Sequence, residues 1–485
     1  MKIKHIILTM LVLTVYSCDN KLDISPEFSL TSDNAFEVAE EYDQALIAAY
    51  ATLNDAGYYG ETYGELMELG ADGGTETAES LRNEAEFTDW FFGPSDGSGN
   101  VAAGWNSPYL MIARANVVSD GIDEVPEENE GSRNRILGQA LALRAMGHFD
   151  LLRLYGQSYE RNSDALGVPV RTTQSLENPT RVTVRETYDQ IFADLNQAET
   201  LLAPNGLDVN PNGDGSSRYR IDRLVVRAIR AKVNLYAGEY DDAIADATSV
   251  IQDGAVSLAN TGNYAPVWSA DDQSTEVIWS IAVVDQAEAR PTSETFFYVN
   301  NRLGWVPSED VLNLYDQAND IRFSSFYSDN FNIAAVNGGP SRIGTTVPIK
   351  FSGRNGAIDG VNDIKLFRMS EMYLIRAEAQ YELNQTPLAM ADLNTLRANR
   401  ITGYVDENLT GTALESAIRD ERRKELWLEG HRWFDLRRWN LPIVRGADCG
   451  SPMESCNLSA NNFRRVFPIP TQEVVVSGIQ QNDGY

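Results

Sequence analysis

The chain has 485 residues, 43% of them hydrophobic and 23% charged, and its 70 Asp and Glu outnumber its 40 Lys and Arg to give a formal net charge of −30. Such a length and composition support a large apolar core without covalent staples. The acidity argues against DNA, RNA and anionic membrane surfaces as partners, since each would repel it; neutral ligands and cations stay compatible.

The first eighteen residues differ in character from the rest of the chain. Lys2 and Lys4 precede a mostly apolar run from Ile6 to Tyr16, and Val-Tyr-Ser-Cys then ends at Cys18. The run is too short to span a bilayer. A small residue directly before a Cys, after such a run, resembles a bacterial lipobox. It predicts removal of residues 1–17 and acylation of Cys18; an ordinary secretory signal with an incidental Cys is the alternative. No later apolar run is long enough to cross a membrane, so the expectation is a chain anchored to one and not spanning it.

Helical periodicity dominates from there. Tyr42, Leu46, Ala49, Tyr50 and Leu53 form one stripe, Leu137, Leu141, Ala145, Phe149 and Leu152 a second, and Tyr188, Ile191, Leu195, Ala198 and Leu202 a third, with Thr183 placed as an N-cap. Two later stretches match each other: Ala231, Gly238 and Ala243 have the same spacing as Ala377, Asn384 and Ala389. Small residue, turn residue, small residue is what two closely packed antiparallel helices require. The pattern resembles tetratricopeptide repeats. Two irregular regions interrupt the helices, Gly57 to Gly104 and residues 255–365, the latter with β-like pieces such as EVIWSIAVV at 276–284. Long excursions from a helical scaffold usually carry function. The expected organisation is a signal (1–18), an N-terminal helical region (19–254) containing the ligand loop 57–104, an irregular lobe (255–365) and a C-terminal helical region (366–485).

Near the end, RDERRKELWLEGHRWFDLRRWN (419–440) holds three of the eight Trp residues. Leu426, Trp427, Trp433 and Phe434 recur at helical spacing, and Asp420–Lys424, Glu429–Arg432 and Asp435–Arg438 sit where helix neighbours meet. This predicts a helix docked on both sides. Cys449 and Cys456 in CGSPMESC form either a short disulfide-closed loop or two free thiols.

Catalytic machinery is sparse. His148 and His431 sit in packed helical contexts, no Cys/His cluster suits zinc, and the acidic residues single out no carboxylate pair. Asp208, Asn210, Asn212, Gly213 and Asp214 mimic the start of a calcium loop, but its twelfth position is Tyr219 where a Glu is needed. No metal or cofactor is expected. What the irregular regions do offer is aromatic clusters: Trp90, Phe91 and Phe92 in one, Trp268, Phe296, Phe297, Tyr298 and Trp305 in the other, with Asp72, Arg82, Asn100, Asn300 and Asn301 nearby. Flat rings suit the apolar face of a sugar while polar neighbours bond its rim. Core packing is the competing role for these rings, and Trp105 is assigned to it.

The lipobox followed by CDNKLDISPEFSLT, the stretches WNSPYLMIARAN, LGQALALRAMGHFDLLRLYG, LFRMSEMYLIRAEAQ and ADLNTLRANR, the segment RRKELWLEGHRWFDLRRW and the ending FPIPTQEVVVSGIQQNDGY together resemble the SusD/RagB-like outer-membrane lipoproteins of Bacteroidetes. The resemblance implies a mainly α fold, tetratricopeptide-like helix pairs with an irregular, partly β ligand-facing lobe. It implies a non-catalytic protein at the outer face of the outer membrane. Such a protein captures oligosaccharide as the lid of a SusC-like TonB-dependent transporter; some relatives capture oligopeptides instead. It places candidate glycan contacts at Asp72, Arg82, Trp90, Tyr298 and Trp305. A scaffold that only recruits proteins and a glycosidase are the competing classes.

Overall fold

The structure is a computed structural model that describes residues 36–82, 85–94, 99–126, 130–175, 177, 179–202, 218–285, 288–289, 303–330, 344–357, 359–450 and 455–485. Cys18, the calcium-like residues 208–214, and Phe296, Phe297, Tyr298, Asn300 and Asn301 lie outside the described residues.

The apolar stripes form the scaffold. Its longer helices are α1 (Ala39–Ala51), α2 (Gly99–Gly121), α3 (Glu130–Tyr155), α4 (Val184–Leu201), α5 (Arg223–Ala237), α6 (Tyr240–Asp253), α7 (Met369–Glu382), α8 (Thr386–Ala398) and α9 (Gly411–Glu425). The shorter α10 (Arg432–Arg438) and α11 (Thr471–Ser477) come after them. The fold is mainly α, and the described strands form only two-stranded antiparallel pairs. Tyr42, Leu46 and Ala49 bury one face of α1. At α4 the Thr183 hydroxyl accepts from the Glu186 amide (3.1 Å), and Glu186 accepts in return from the Thr183 amide (2.8 Å). Two of the donors that a helix start leaves open are thereby satisfied.

The two matched stretches are two helix hairpins. Gly238 (φ 78°) turns α5 into α6, and Asn384 (φ 59°) turns α7 into α8. Glycine and asparagine enter that left-handed region at low cost. Ala231, Ala243, Ala377 and Ala389 are all buried where the paired helices approach. The second hairpin packs α7 on α6, so the pairs stack. EVIWSIAVV supplies a strand, Val277–Ile281, fully buried and paired with Ile364–Arg368.

The segment 419–440 departs from expectation. It is two helices, α9 and α10, separated by a turn in which Leu428 (φ 60°) and Gly430 (φ 74°) are left-handed. The cause is a close approach: a Cβ at Gly430 would lie 1.9 Å from the Tyr63 carbonyl oxygen. Of the three expected ion pairs only Asp435–Arg438 forms (2.9 Å). Lys424 pairs with Glu421 (2.9 Å), Glu429 with Lys350 (2.7 Å) and Arg368, and Arg432 with Asp72.

Docking on both sides does hold, through an interior lattice of charges. Glu425 accepts from Arg322 (3.0 Å), Arg368 (2.7 Å) and Arg400 (3.0 Å). Glu276, from the buried strand region, accepts from Arg368 and Arg400 (2.7 Å each). Asp320 and Glu421 complete the coordination of Arg322. Arg322, Arg368 and Arg400 are almost completely buried. Charges so desolvated are costly unless they are paired.

Candidate functional site

The strand Gly74–Glu76 from the first irregular region pairs with Trp305–Pro307 from the second, Glu76 opposite Trp305. The two regions singled out in the sequence therefore meet edge to edge. The next loop turns sharply at Arg82 (φ 57°), whose amide donates to the Ser80 hydroxyl (3.0 Å). The Arg82 guanidinium, partly exposed, lies between the carboxylates of Glu76 and Asp89. Burial raises the Glu76 carboxyl and Arg82 opposes the shift. Asp89 in turn accepts from the Ser455 amide (2.7 Å).

Beneath this loop Arg445 is a brace. Its guanidinium donates to the carbonyls of Leu69 (2.8 Å), Ala71 (3.0 Å), Thr88 (2.7 Å) and Ser455 (2.7 Å). It also lies 4.7 Å from the centre of the Trp90 ring. A planar fork of donors suits several carbonyls at once. Cys449 and Cys456 form a disulfide, Cα atoms 5.8 Å apart, deciding between the two readings of CGSPMESC. The segment leading into the bridge bears on the candidate face, because the Thr75 hydroxyl donates to the Asp448 carbonyl (3.1 Å) and the Glu309 amide to the Asp448 carboxylate (3.0 Å).

The four described sequence candidates do not form a shared exposed platform. Asp72 is buried and bound through both oxygens by Arg432 (2.7 and 2.8 Å). Burial alone would raise its carboxyl, but the guanidiniums of Arg432 and Arg423 outweigh burial and hold it well below the usual carboxylate range. Asp72 thus anchors α10. Trp90 is 2% exposed and its indole N–H donates to the Gly70 carbonyl (2.8 Å), so it supports the loop from inside. Trp305 is 4% exposed and covers Gly74, where a Cβ would come 2.3 Å from its ring. Tyr298 is outside the described residues. Arg82 alone of the described candidates reaches solvent appreciably. The ring that does face solvent is Phe91, 52% exposed, with Leu81 at 43%. Phe92 and Trp268 join Trp105 in the interior. No sequence motif marks Glu76 and Asp89, which are joined through Arg82, or Arg445, whose role depends on carbonyls far back in the chain.

His148 and His431, the two described histidines, are core residues. The His148 Nε2 accepts from the Arg171 amide (3.0 Å), and burial drives its pKa down to about 3. Burial likewise keeps His431 neutral, aided by Lys232 and Arg422. Among the described residues no group of three or more His, Cys, Asp or Glu is arranged to hold a metal, and no helix is long and apolar enough to cross a membrane. The loop offers a guanidinium set between carboxylates and, nine residues on, an exposed flat ring, which is the chemistry of recognition.

Comparison with known proteins extends over nearly the whole chain. A family described as the SusD family matches residues 349–485, and one described as "Starch-binding associating with outer membrane" matches residues 21–211. A SusD-like protein of Formosa agariphila, P38, is 26% identical, the alignment covering 91% of this chain and 93% of that protein. The crystal structure of a SusD superfamily protein from Bacteroides thetaiotaomicron superposes with a TM-score of 0.78 at 26% identity, covering 92% of this chain and 99% of that one. A structure titled "Laminarin binding SusD-like protein" superposes with a TM-score of 0.66 at 21% identity, covering 93% and 100%. The paired helices, the α9–α10 segment with its interior charges and these matches at both ends of the chain lead to one assignment: the chain belongs to the SusD/RagB-like family.

Proposed function

We propose that this chain is a non-catalytic glycan-binding protein of the outer membrane, anchored through Cys18, that captures oligosaccharide and passes it to a SusC-like TonB-dependent transporter. The observation that carries the reading is the braced loop face, where two irregular regions join and Arg82 and Phe91 reach solvent from a rigid floor. A preorganised ring and guanidinium lose little entropy on binding, so they suit a weakly polar, hydroxyl-rich ligand. The starch-binding description of one matching family, its stated association with the outer membrane and the laminarin-binding name of a structural neighbour support the same reading. Of the five positions read from sequence, Arg82 is retained as a direct contact and Tyr298 stays a candidate. Asp72, Trp90 and Trp305 are assigned to support of the face.

The test is calorimetry of the soluble form beginning at residue 19 against a polysaccharide panel. Binding to at least one glycan is expected, with F91A and R82A each weakening it tenfold or more while the melting temperature stays within a few degrees. Binding of peptides with none of any glycan would overturn the proposal in favour of oligopeptide capture. Release of reducing sugar by the pure protein would overturn the non-catalytic role.

A further inference from the structure

A cleft of about 680 Å³ opens between the ends of α5 and α10 and the loop around residues 460–466. Arg465 lines it and is 3% exposed, yet its guanidinium makes a single hydrogen bond, to the Leu441 carbonyl (2.9 Å). Its Nε and second terminal nitrogen are buried without a partner among the described residues, and the guanidinium lies 5.3 Å from the centre of the Trp433 ring. Other buried arginines are provided for: Arg322, Arg368, Arg400 and Arg422 each meet carboxylates, and Arg445 meets four carbonyls. Burial lowers the Arg465 pKa to about 10, with Arg437 adding to the shift, so the group keeps its charge at neutral pH.

Arg437 lines the same cleft and also lacks a carboxylate partner among the described residues. It donates to the Arg153 carbonyl (2.6 Å), the Tyr159 hydroxyl (3.0 Å) and the Gly156 carbonyl. Tyr236, 4% exposed, brings to the lining a hydroxyl without a partner among the described residues. The nearby Glu378 does not neutralise the pair, because Arg438 (2.7 Å) and the Trp439 indole (2.6 Å) engage it. At the mouth Phe463 is 40% exposed. Glu160 and Glu382 also line the cleft, but neither pairs with Arg465 or Arg437 among the described residues, so two guanidiniums without a carboxylate partner, the Tyr236 hydroxyl and an exposed ring stand together in a chain of net charge −30 and call for an oxyanion attached to an apolar-faced body.

We propose that this cleft binds the anionic group of an acidic oligosaccharide, a uronate carboxylate or a sulfate ester, on Arg465 and Arg437 with the Tyr236 hydroxyl as a further donor, while a sugar ring rests on Phe463. The proposal rests on the glycan-binding reading above and places the ligand in a cleft that neither Arg82 nor Phe91 lines. Calorimetry with a trisaccharide of galacturonic acid, its methyl ester and a sulfated galactose trisaccharide tests it. The methyl ester removes the charge and keeps the sugar. At least one charged trisaccharide is expected to bind tenfold or more tighter than the ester, and which one does so identifies the oxyanion. R465M is expected to abolish that preference and Y236F to reduce it several-fold, with neutral-glycan binding at the Arg82 face unchanged. Y236F keeps the ring and thus reports even if R465M fails to fold. Equal binding of charged and neutral forms, a preference untouched by Y236F, or equally tight binding of a hexaglutamate peptide would overturn the proposal. If neutral glycans still bind in that event, only this site is lost; if none binds, the broader reading falls with it.

Discussion

Glu68 and Asp72 lie one helical turn apart, both buried, and are driven in opposite directions. Asp72 has two guanidiniums and stays ionised; neither Glu68 oxygen has a hydrogen bond among the described residues. Burial first, then the charge of Asp72, pushes the Glu68 pKa up to about 7. Its folded pKa is therefore above its unfolded value, so the folded state binds the extra proton between the ordinary carboxylate range and about pH 7. Stability falls as pH rises through that window, by roughly 3 kcal/mol at most. Glu68→Gln should flatten this slope, so that the variant gains on the parent between pH 5 and pH 8 in urea unfolding. An unchanged difference between the two proteins across that range would contradict it. Single residues were the least legible part of the sequence. Trp90 and Phe91 are adjacent and alike in composition, yet one is 2% and the other 52% exposed. The left-handed backbone at Trp90, its indole hydrogen bond to Gly70 and the brace from Arg445 separate them, and none has a local signature.

Helix pairs were legible because their cause is local. Gly238 and Asn384 mark turns that few other residues enter cheaply, and the alanines beside them mark close packing. The break between α9 and α10 was not legible, since the apolar spacing of 419–440 is good enough for one continuous helix. The interruption comes from Tyr63, whose backbone occupies the space a side chain at 430 would need. Gly430→Ala therefore faces both a left-handed φ of 74° and a clash with backbone. We expect a loss of about 3 kcal/mol or more, the sum of strain and displacement. Chemical denaturation measures it; a loss under about 1 kcal/mol would show that the turn yields easily.

Across the molecule, charge is used inside as well as outside. Glu425 sits where three guanidiniums converge, and although burial alone would raise its carboxyl, Arg400, Arg368 and Arg322 hold it well below the usual range. The stability it contributes is therefore present above the ordinary carboxylate range and is lost on acidification. Glu425→Gln leaves those cations short of a partner and should cost about 3–5 kcal/mol at neutral pH, seen as a lower urea midpoint. A neutral effect would mean the lattice reorganises around the amide. The sequence showed this segment to be structural but not how it is held, because its partners come from residues 276, 322, 368 and 400. The same long-range wiring joins the two ends of the protein. Arg432 closes on Asp72, Arg445 on the carbonyls of Leu69 and Ala71, and the Phe467 amide on the carbonyl of Leu154. A nascent chain thus emerges from the ribosome with its early carboxylates and carbonyls still unanswered. Those groups, all in the first third of the sequence, are met only once the segment from Arg432 onward has been made and folds against them.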